Sequence, residues 1–334
     1  MKAMILETQR PIQEKPLSMA EVEKPKCAPK EILIRIVTCG ICHTDLHVVE
    51  GELPPKKLPV IPGHQIMGVV EAVGKKTTRF KVGDRAGVIW LNSTCGKCEF
   101  CRNGRENLCE KAKFTGYDVD GGYAEYTVVS EDFAYPIPER FSDLQAAPLL
   151  CAGVIGYRAL KLSNIEKGGR LGLYGFGASA HIVIQIARYW GCKVYVFTRS
   201  VKHRKLAQEL GAVWTGRAED TAPAKMHSSI IFAPAGKLVL DALHVLEKGG
   251  TLALAGIYMT PIPEMDYDKY IYHEKMVRSV ANSTRKDAED LLRLAAEIPI
   301  HTEVQEFTLN EANRALLLLK QGKIKGAGVL RVSK

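Results

Sequence analysis

The chain has 334 residues, 46% of them hydrophobic and 25% charged, with a formal net charge of +9. This length and composition predict two globular domains, and no segment approaches the apolar length of a membrane span. The start lacks the charged-then-apolar order of a secretory signal, so the nine cysteines predict a reducing, cytoplasmic location. Lys and Arg are scattered rather than clustered on one helix face. We therefore expect a positive cleft for an anionic cofactor and no nucleic-acid or membrane partner.

The first half of the chain, to about Leu150, is rich in short β-type runs and poor in helical periodicity. These runs are bounded by Gly, Pro and charged turns, and they are EILIRIVTCG, MGVVEAVG, DRAGVIW and YAEYTVV. We expect a β-rich domain here.

Three segments of this half carry residues suited to a metal. GICHTDLH contains Cys42, PGHQIMG contains His64, and APLLCAGVIGY contains Cys151. Two thiolates and one imidazole leave a fourth position open, as in a catalytic zinc site. Each residue alone is more often core or surface than ligand. The hypothesis depends on all three occurring beside a dinucleotide-binding fold.

Four further cysteines lie within fifteen residues, in CGKCEFCRNGRENLC. Their spacing is C-x2-C-x2-C-x7-C, with charged and turn residues between them, which is typical of a tetrahedral zinc site. The alternative is a solvated loop with free or disulfide-paired thiols. Because cysteine takes every position, no place is left for water, and the zinc predicted here is structural. The ligands are Cys95, Cys98, Cys101 and Cys109.

From about Cys151 strands and helices alternate, which predicts a parallel sheet with crossover helices. The predicted strands are RLGLYGF, CKVYVFT, SSIIFAP and TLALAG. The predicted helices are SAHIVIQIARYW, VKHRKLAQEL, KLVLDALHVLEK and DAEDLLRLAAE. The tail from about Ile300 returns to mixed short elements, which we expect to pack on the first domain.

A glycine-rich turn joins the first strand and helix of this half. Gly175 and Gly177 open the pattern G-x-G-x-x-A, which continues through Ala178 and Ser179. Between a strand and an apolar helix, this pattern predicts a pyrophosphate site at the helix N-terminus. The alternative is an ordinary glycine-rich turn.

The end of the second strand bears on the choice of cofactor. Thr198 stands where an acidic residue would hold a ribose 2′-hydroxyl, and Arg199 and Ser200 follow, with His203 beyond. A 2′-phosphate needs donors and positive charge, so this segment favours NADP over NAD. The alternative is that Arg199 is a surface charge and the preference is weak or dual.

These motifs together resemble the zinc-dependent alcohol dehydrogenases of the medium-chain dehydrogenase/reductase family, over essentially the whole chain. The resemblance implies a GroES-like β-rich catalytic domain over 1–152 and 299–334. It implies a Rossmann domain, a doubly wound parallel α/β sheet, over 153–298. It also implies two zinc ions per subunit and a homotetramer or homodimer.

The resemblance implies roles for individual residues. Thr44 matches the hydroxyl that hydrogen-bonds the substrate alcohol, and His47 matches the solvent end of the proton relay. Asp45 matches a carboxylate behind the zinc-ligating imidazole. His43 matches a base on the cofactor pyrophosphate, and Trp90 a wall of the substrate pocket. The ligand positions of the catalytic zinc are matched by Cys42, His64 and Cys151, and those of the structural zinc by Cys95, Cys98, Cys101 and Cys109.

Three positions depart from the family pattern. Gln65 replaces a Glu that usually follows the zinc-binding His, which makes the surroundings of the metal less anionic. Ile155 replaces a small hydroxyl residue beside the nicotinamide, so that wall is more apolar. Ala327 stands where many members have an Arg facing the pyrophosphate.

The leading hypothesis is an alcohol dehydrogenase or aldehyde reductase that moves a hydride between a small, primary alcohol and NAD(P)+. One alternative is a polyol or other secondary-alcohol dehydrogenase, although those enzymes usually have a Glu ligand where this chain has Cys151. The other is a non-catalytic, redox-sensing paralogue that binds zinc and a dinucleotide. Only Gln65 favours that reading.

Overall fold

The computed structural model describes residues 1–333 and consists of seventeen strands and ten α-helices in that range. No helix among these residues is long and apolar enough to cross a membrane. The strands, numbered in chain order, are β1 (Lys2–Leu6), β2 (Leu17–Glu21), β3 (Glu31–Gly40), β4 (Gln65–Val73), β5 (Arg85–Val88), β6 (Leu91–Ser93), β7 (Lys113–Phe114), β8 (Tyr126–Ser130), β9 (Ala134–Pro136), β10 (Arg170–Tyr174), β11 (Lys193–Phe197), β12 (Trp214–Gly216), β13 (Met226–Ile231), β14 (Leu246–Leu254), β15 (Met276–Ser279), β16 (Val304–Thr308) and β17 (Ala327–Arg331). The helices are α1 (His43–Glu50), α2 (Glu99–Arg102), α3 (Asp143–Ala146), α4 (Ala152–Leu162), α5 (Ala178–Tyr189), α6 (Val201–Glu209), α7 (Leu238–His244), α8 (Tyr267–Tyr270), α9 (Arg285–Glu297) and α10 (Ala312–Lys320).

The chain forms two compact units. The first contains Met1–Cys151, Thr284–Glu297 and the residues from His301 onward, and the second contains Ala152–Ser283 and Ile298–Ile300. The expected boundaries, 1–152 with 299–334 and 153–298, differ from these chiefly at α9. Lys334, at the end of the expected tail, lies outside the described residues.

Helix α9 belongs to the first unit because both of its ends are bonded there. At its start, the backbone N–H and the Nε of Arg285 donate to Oε1 of Glu106 at 2.9 and 3.3 Å. At its end, Arg140 donates to the carbonyl of Ala296 at 3.0 Å. Its apolar periodicity correctly predicted a helix, but periodicity does not say which core a helix covers.

The first unit is built on a seven-stranded sheet centred on β3. The strand order is β16-β17-β3-β4-β5-β9, and β8 pairs with the first half of β3. Strand β3 is antiparallel to β4, β8 and β17. Its apolar run is nearly continuous because eight of its ten residues are buried. Two small sheets, β1-β2 and β6-β7, complete the unit.

The second unit contains a six-stranded parallel sheet in the order β12-β11-β10-β13-β14-β15. The chain moves outward from β10 to β12 and then returns to add β13 on the other side. This makes a topological switch point at the carboxyl end of β10, where ligands bind in such sheets. The predicted doubly wound α/β fold is confirmed by this order.

One predicted helix is shorter than expected. KLVLDALHVLEK was predicted as a single helix, but α7 ends at His244 and β14 begins at Leu246. Leu246 is fully buried and pairs with Met226, so sheet pairing overrides the helical pattern of these last residues.

Candidate active site and metal centres

The pairing of two strands in the first unit brings Cys42 and His64 together. The last residue of β3, Gly40, pairs with the first residue of β4, Gln65. Cys42 lies two residues beyond Gly40, and His64 immediately precedes Gln65. A Cβ at position 40 would lie 2.9 Å from the side chain of Gln65, so a larger residue there would displace that side chain. Gln65 itself is buried.

Cys151 completes this group at the end of the 3₁₀ helix Ala147–Leu150. One ligand atom from each of Cys42, His64 and Cys151 lies within 4.8 Å of the others, and the two sulfurs are 3.9 Å apart. A tetrahedron with Zn–S bonds of about 2.3 Å has its sulfurs about 3.8 Å apart. The sulfur separation therefore fits zinc, with three protein ligands and one open position.

Asp45 holds the imidazole and one thiol of this group in place. Its carboxylate accepts from Nδ1 of His64 at 2.8 Å, from the N–H of Cys42 at 2.9 Å and from the hydroxyl of Tyr123 at 3.2 Å. With Nδ1–H donated to Asp45, the neutral form of the His64 imidazole has its lone pair on Nε2. Nε2 is buried and has no hydrogen-bond partner in the described part of the chain. An orphaned, buried imidazole nitrogen facing two thiols fits a metal ligand.

Sequence reasoning missed Tyr123, which is fully buried beneath Asp45. Its position depends on Gly63, whose φ is +95° and where a Cβ would lie 2.4 Å from the tyrosine ring. The two residues are 60 positions apart, so no local pattern could have indicated the contact.

The charges of the group favour a bound cation. Burial lowers the pKa of His64, but the Asp45 carboxylate and Cys42 outweigh it and raise the pKa to about 10. The hydrogen bond from Cys151 lowers the pKa of the Cys42 thiol, and the same contact with burial raises that of Cys151. Asp45 and Cys42 thus form a negative centre that stabilises a proton on the imidazole, and a divalent cation held by Nε2 would take the place of that proton.

Helix α1 carries the predicted relay residues. Cys42 is its N-cap, and the Cys42 sulfur accepts from the N–H of Thr44 at 3.4 Å. The Thr44 hydroxyl lies 3.7 Å from the same sulfur. Thr44 and His47 are three residues apart, hence on one face of the helix, and both are buried. His43, the first residue of α1, is exposed.

Trp90 packs against the imidazole of the metal group. Its ring meets that of His64 edge-on, with 4.9 Å between centroids. It stacks on Phe114 at 5.2 Å and on Tyr117 at 5.8 Å. The sequence identified Trp90 alone, whereas the structure shows a three-ring aromatic wall beside the histidine.

The four-cysteine cluster consists of Cys95, Cys98, Cys101 and Cys109, whose sulfurs lie within 4.8 Å of one another. The sulfur of Cys101 is 3.9 Å from that of Cys95 and 3.5 Å from that of Cys98. All nine cysteines of the chain are free, so the disulfide alternative fails for this cluster. Backbone N–H groups of Lys97 and Cys98 lower the pKa of Cys95 to about 6. The cluster fits a closed tetrahedral zinc site.

In the second unit the glycine-rich turn lies at the switch point, between β10 and α5. Gly175 has φ +86°, and a Cβ there would lie 3.2 Å from Ala233. Gly177 is the exposed N-cap of α5, with open space around it, and Ala178 and Ser179 begin the helix. This leaves the first N–H groups of a twelve-residue helix accessible, which suits a pyrophosphate.

The residues proposed to select the cofactor follow β11 and lead into α6. Thr198 is buried, and its N–H donates to the carbonyl of Gly216 at 2.7 Å. Arg199 is exposed. Ser200 is the N-cap of α6, and its hydroxyl accepts from the N–H of His203 at 3.3 Å. Burial, and then Lys202, lower the pKa of His203.

The other two departures from the family pattern also lie on regular elements. Ile155 is half-buried on α4, and Ala327 is buried at the start of β17.

Comparison with known proteins agrees with both units. The family described as alcohol dehydrogenase GroES-like domain matches residues 28–139, and the family described as zinc-binding dehydrogenase matches residues 178–297. A probable alcohol dehydrogenase, AdhA, of Mycobacterium tuberculosis is 46% identical over 327 residues, which are 96% of this chain and 94% of the relative.

Solved structures show the same fold. A cinnamyl alcohol dehydrogenase of Sorghum bicolor superposes with a TM-score of 0.90 at 29% identity, covering 99% of this chain and 97% of the other. The CAD of Helicobacter pylori, solved in complex with NADP(H), gives a TM-score of 0.89 at 26% identity, with the same coverage. The predicted combination of a GroES-like domain with a Rossmann domain is thereby confirmed.

Proposed function

The chain belongs to the zinc-dependent alcohol dehydrogenases of the medium-chain dehydrogenase/reductase family, and we propose that it holds two zinc ions per subunit. It is an oxidoreductase that interconverts a small-molecule alcohol and its carbonyl compound with a nicotinamide dinucleotide. We assign the catalytic zinc to Cys42, His64 and Cys151 and the structural zinc to the four-cysteine cluster. The first assignment depends on the buried, partnerless Nε2 of His64 beside two thiols.

Bound zinc supplies a Lewis acid, and the bound dinucleotide supplies the hydride acceptor or donor. The chain's own residues handle the proton. We propose that the hydroxyl of Thr44, close to Cys42, accepts a hydrogen bond from the substrate hydroxyl and passes its proton on. His47, on the same face of α1, takes up that proton. Asp45 keeps the imidazole of His64 in the tautomer that leaves Nε2 available.

Trp90 supports a substrate with an apolar body. With Phe114 and Tyr117 it forms an aromatic surface beside His64. We propose primary alcohols and aldehydes as substrates. A substrate panel with matched primary and secondary alcohols would test this, and faster turnover of the secondary alcohols would contradict it.

We propose that NADP(H) is preferred over NAD(H). The segment after β11 carries no carboxylate at Thr198, and Arg199 is exposed and able to pair with a 2′-phosphate. The structural relative from Helicobacter pylori was solved with NADP(H). Other structural relatives are described as NAD-dependent or were solved with NAD, so the proposal depends on this segment and not on the relatives. His43, at the start of α1, is a further proposed cofactor contact.

The cofactor proposal predicts a change in kinetic preference. Arg199→Ala should lower kcat/KM for NADP+ by about ten- to a hundredfold, because a charge-assisted contact is lost, and leave that for NAD+ nearly unchanged. Lys202→Ala, which removes an exposed charge on the adjacent helix, is the matched control. A wild-type enzyme that prefers NAD+, with a ratio unaffected by Arg199→Ala, would contradict the proposal.

We also propose a homo-oligomer. Strand β15 is the last strand of the six-stranded sheet, and all four of its residues are exposed, including Met276 and Val277. No other strand within residues 1–333 pairs with its outer edge. An unpaired strand edge that exposes Met276 and Val277 favours pairing with a second copy. Sedimentation would measure the oligomeric state, and a monomer would contradict this proposal.

We also propose a reducing, cytoplasmic compartment, because none of the nine cysteines is paired in a disulfide.

A further inference from the structure

Glu52, which no sequence motif singled out, contacts the relay histidine. Its Oε2 forms a hydrogen bond with Nδ1 of His47. The side chain of His47 is only 10% exposed, whereas that of Glu52 is 43% exposed. A carboxylate at the surface therefore meets a buried imidazole on its Nδ1 side.

The turn that positions Glu52 is built for this contact. Helix α1 ends at Glu50, and Gly51 adopts φ 81° as its C-cap, a conformation that other residues adopt only with strain. The N–H of Leu53 then donates to the carbonyl of His47 at 3.2 Å. This closes the helix end and folds Glu52 back against it.

The side chain of Gln9, near the start of the chain, also holds this turn in place. Nε2 of Gln9 donates to the carbonyls of Val48 at 2.7 Å and Leu53 at 3.0 Å. These bonds join the last turn of the helix to the residue after Glu52. The glutamate backbone is thus held on both sides, independently of its own side chain.

We propose that Glu52 is a positioning residue for the proton relay, an inference that depends on the relay role proposed for His47. An ionised carboxylate can only accept hydrogen bonds, so the proton of the neutral imidazole is kept on Nδ1. Nε2 then has the lone pair and is the nitrogen that takes up the proton. Without Glu52, the ring would exchange between both tautomers, and part of the population would present an N–H where the relay needs an acceptor.

The tautomer can be observed directly. In zinc-loaded protein labelled with ¹⁵N-histidine, the His47 signals are assigned by their loss in His47→Gln. We expect the wild-type ring in the Nδ1–H form and the Glu52→Gln ring in a mixture with the Nε2–H form. Glu50→Gln removes the same charge from the same helix end, where Glu50 pairs with Lys320 instead, and should leave the tautomer unchanged.

Kinetics supply the second readout. Glu52→Gln should lower kcat for alcohol oxidation about three- to tenfold with little change in KM, less than the 10²–10⁴ of a direct acid–base group. Glu52→Asp should recover part of the loss. In the His47→Gln background, Glu52→Gln should have no further effect.

The outcomes separate this inference from the function on which it depends. If His47→Gln leaves kcat unchanged, the relay proposal itself is overturned. If His47→Gln lowers kcat but Glu52→Gln changes neither the tautomer nor kcat, only the role of Glu52 is overturned. A wild-type ring already in the Nε2–H form would also overturn that role.

Discussion

At the scale of single residues, the candidate active site depends on hydrogen bonds that leave Nε2 of His64 without a partner among the described residues. The Asp45 carboxylate accepts hydrogen bonds from Nδ1 of His64 and from the N–H of Cys42. These two hydrogen bonds hold His64 and Cys42, whose ligand atoms lie close to that of Cys151. Burying Asp45 is tolerable because three donors compensate for the desolvation of its carboxylate.

Asp45→Asn should weaken binding of zinc at this group. The amide cannot offer the same charge to the imidazole, so His64 becomes a poorer ligand, and affinity should fall about 10–100-fold. Competition with a chromogenic chelator measures this. Tyr123→Phe, which removes only one of the three donors, should have a smaller effect. Equal zinc affinity in wild type and Asp45→Asn would show that the carboxylate does not support the ligand.

Thr44→Ala should reduce turnover by about 10²–10⁴-fold, because the variant removes the hydroxyl that passes on the substrate proton. Thr44→Ser keeps that hydroxyl and should retain most activity. Steady-state kcat with one primary alcohol distinguishes them. The same loss in both variants would mean that the threonine acts through packing and not through its hydroxyl.

At the scale of elements, ends of strands and short turns determine what the site contains. The register of β3 against β4 brings Cys42 beside His64, and the turn after α1 brings Glu52 to His47. The turn Glu131–Phe133 has a comparable role away from the site. The carboxylate of Glu131 accepts from the N–H groups of Thr78 at 2.8 Å and Arg79 at 2.7 Å, and so holds the β4–β5 loop.

This loop contact predicts a pH-dependent contribution to stability. The N–H of Arg79, followed by that of Thr78, lowers the pKa of Glu131. A lowered folded-state pKa means that the contribution is complete above the unfolded value of about 4.3 and is lost as the pH falls through the folded value. Glu131→Gln should therefore reduce the free energy of unfolding by about 1 kcal/mol at pH 7. Its effect should shrink below pH 4.

Urea unfolding at pH 7 and below pH 4 measures the contribution of Glu131 to the free energy of unfolding. Asp132→Asn, in the same turn but exposed, is the control for loss of one charge and should change stability little. A Glu131→Gln penalty that stays constant with pH would show that ionisation of this carboxylate is not what stabilises the loop.

At the scale of the whole molecule, two candidate metal-binding groups of different character, the four-cysteine cluster and the Cys42–His64–Cys151 group, occur in one unit. The four-cysteine cluster is closed, with every ligand position taken by sulfur, whereas the Cys42 group has only three ligands. A closed site contributes to folding, and an open one to chemistry. Loss of either metal should therefore have different consequences for the protein.

Metal analysis should give two zinc equivalents per chain. Cys42→Ala should retain one equivalent and a near-native melting temperature but lose alcohol oxidation. Cys98→Ser should also lose one equivalent, and its melting temperature should fall markedly, because structural zinc supplies folding energy. Wild-type protein with one equivalent, or a Cys98→Ser variant as stable as Cys42→Ala, would contradict the assignment of the two sites.

The sequence by itself determined the features that are local along the chain. The spacing of the four cysteines, the glycine turn between β10 and α5, and the β-α alternation each lie within one or a few consecutive elements, so their patterns can be read directly. For the same reason the family could be identified, and the comparisons confirm that family and its fold.

Only the tertiary structure decided the contacts between distant segments. The hydroxyl of Tyr123 reaches Asp45, Phe114 and Tyr117 extend the wall begun by Trp90, and α9 is bonded to the first unit. Glu52 is near His47 in sequence, yet their contact requires the left-handed turn at Gly51 and the clamp from Gln9. Such contacts depend on the packing of several elements at once. No periodicity or spacing within one segment records that packing.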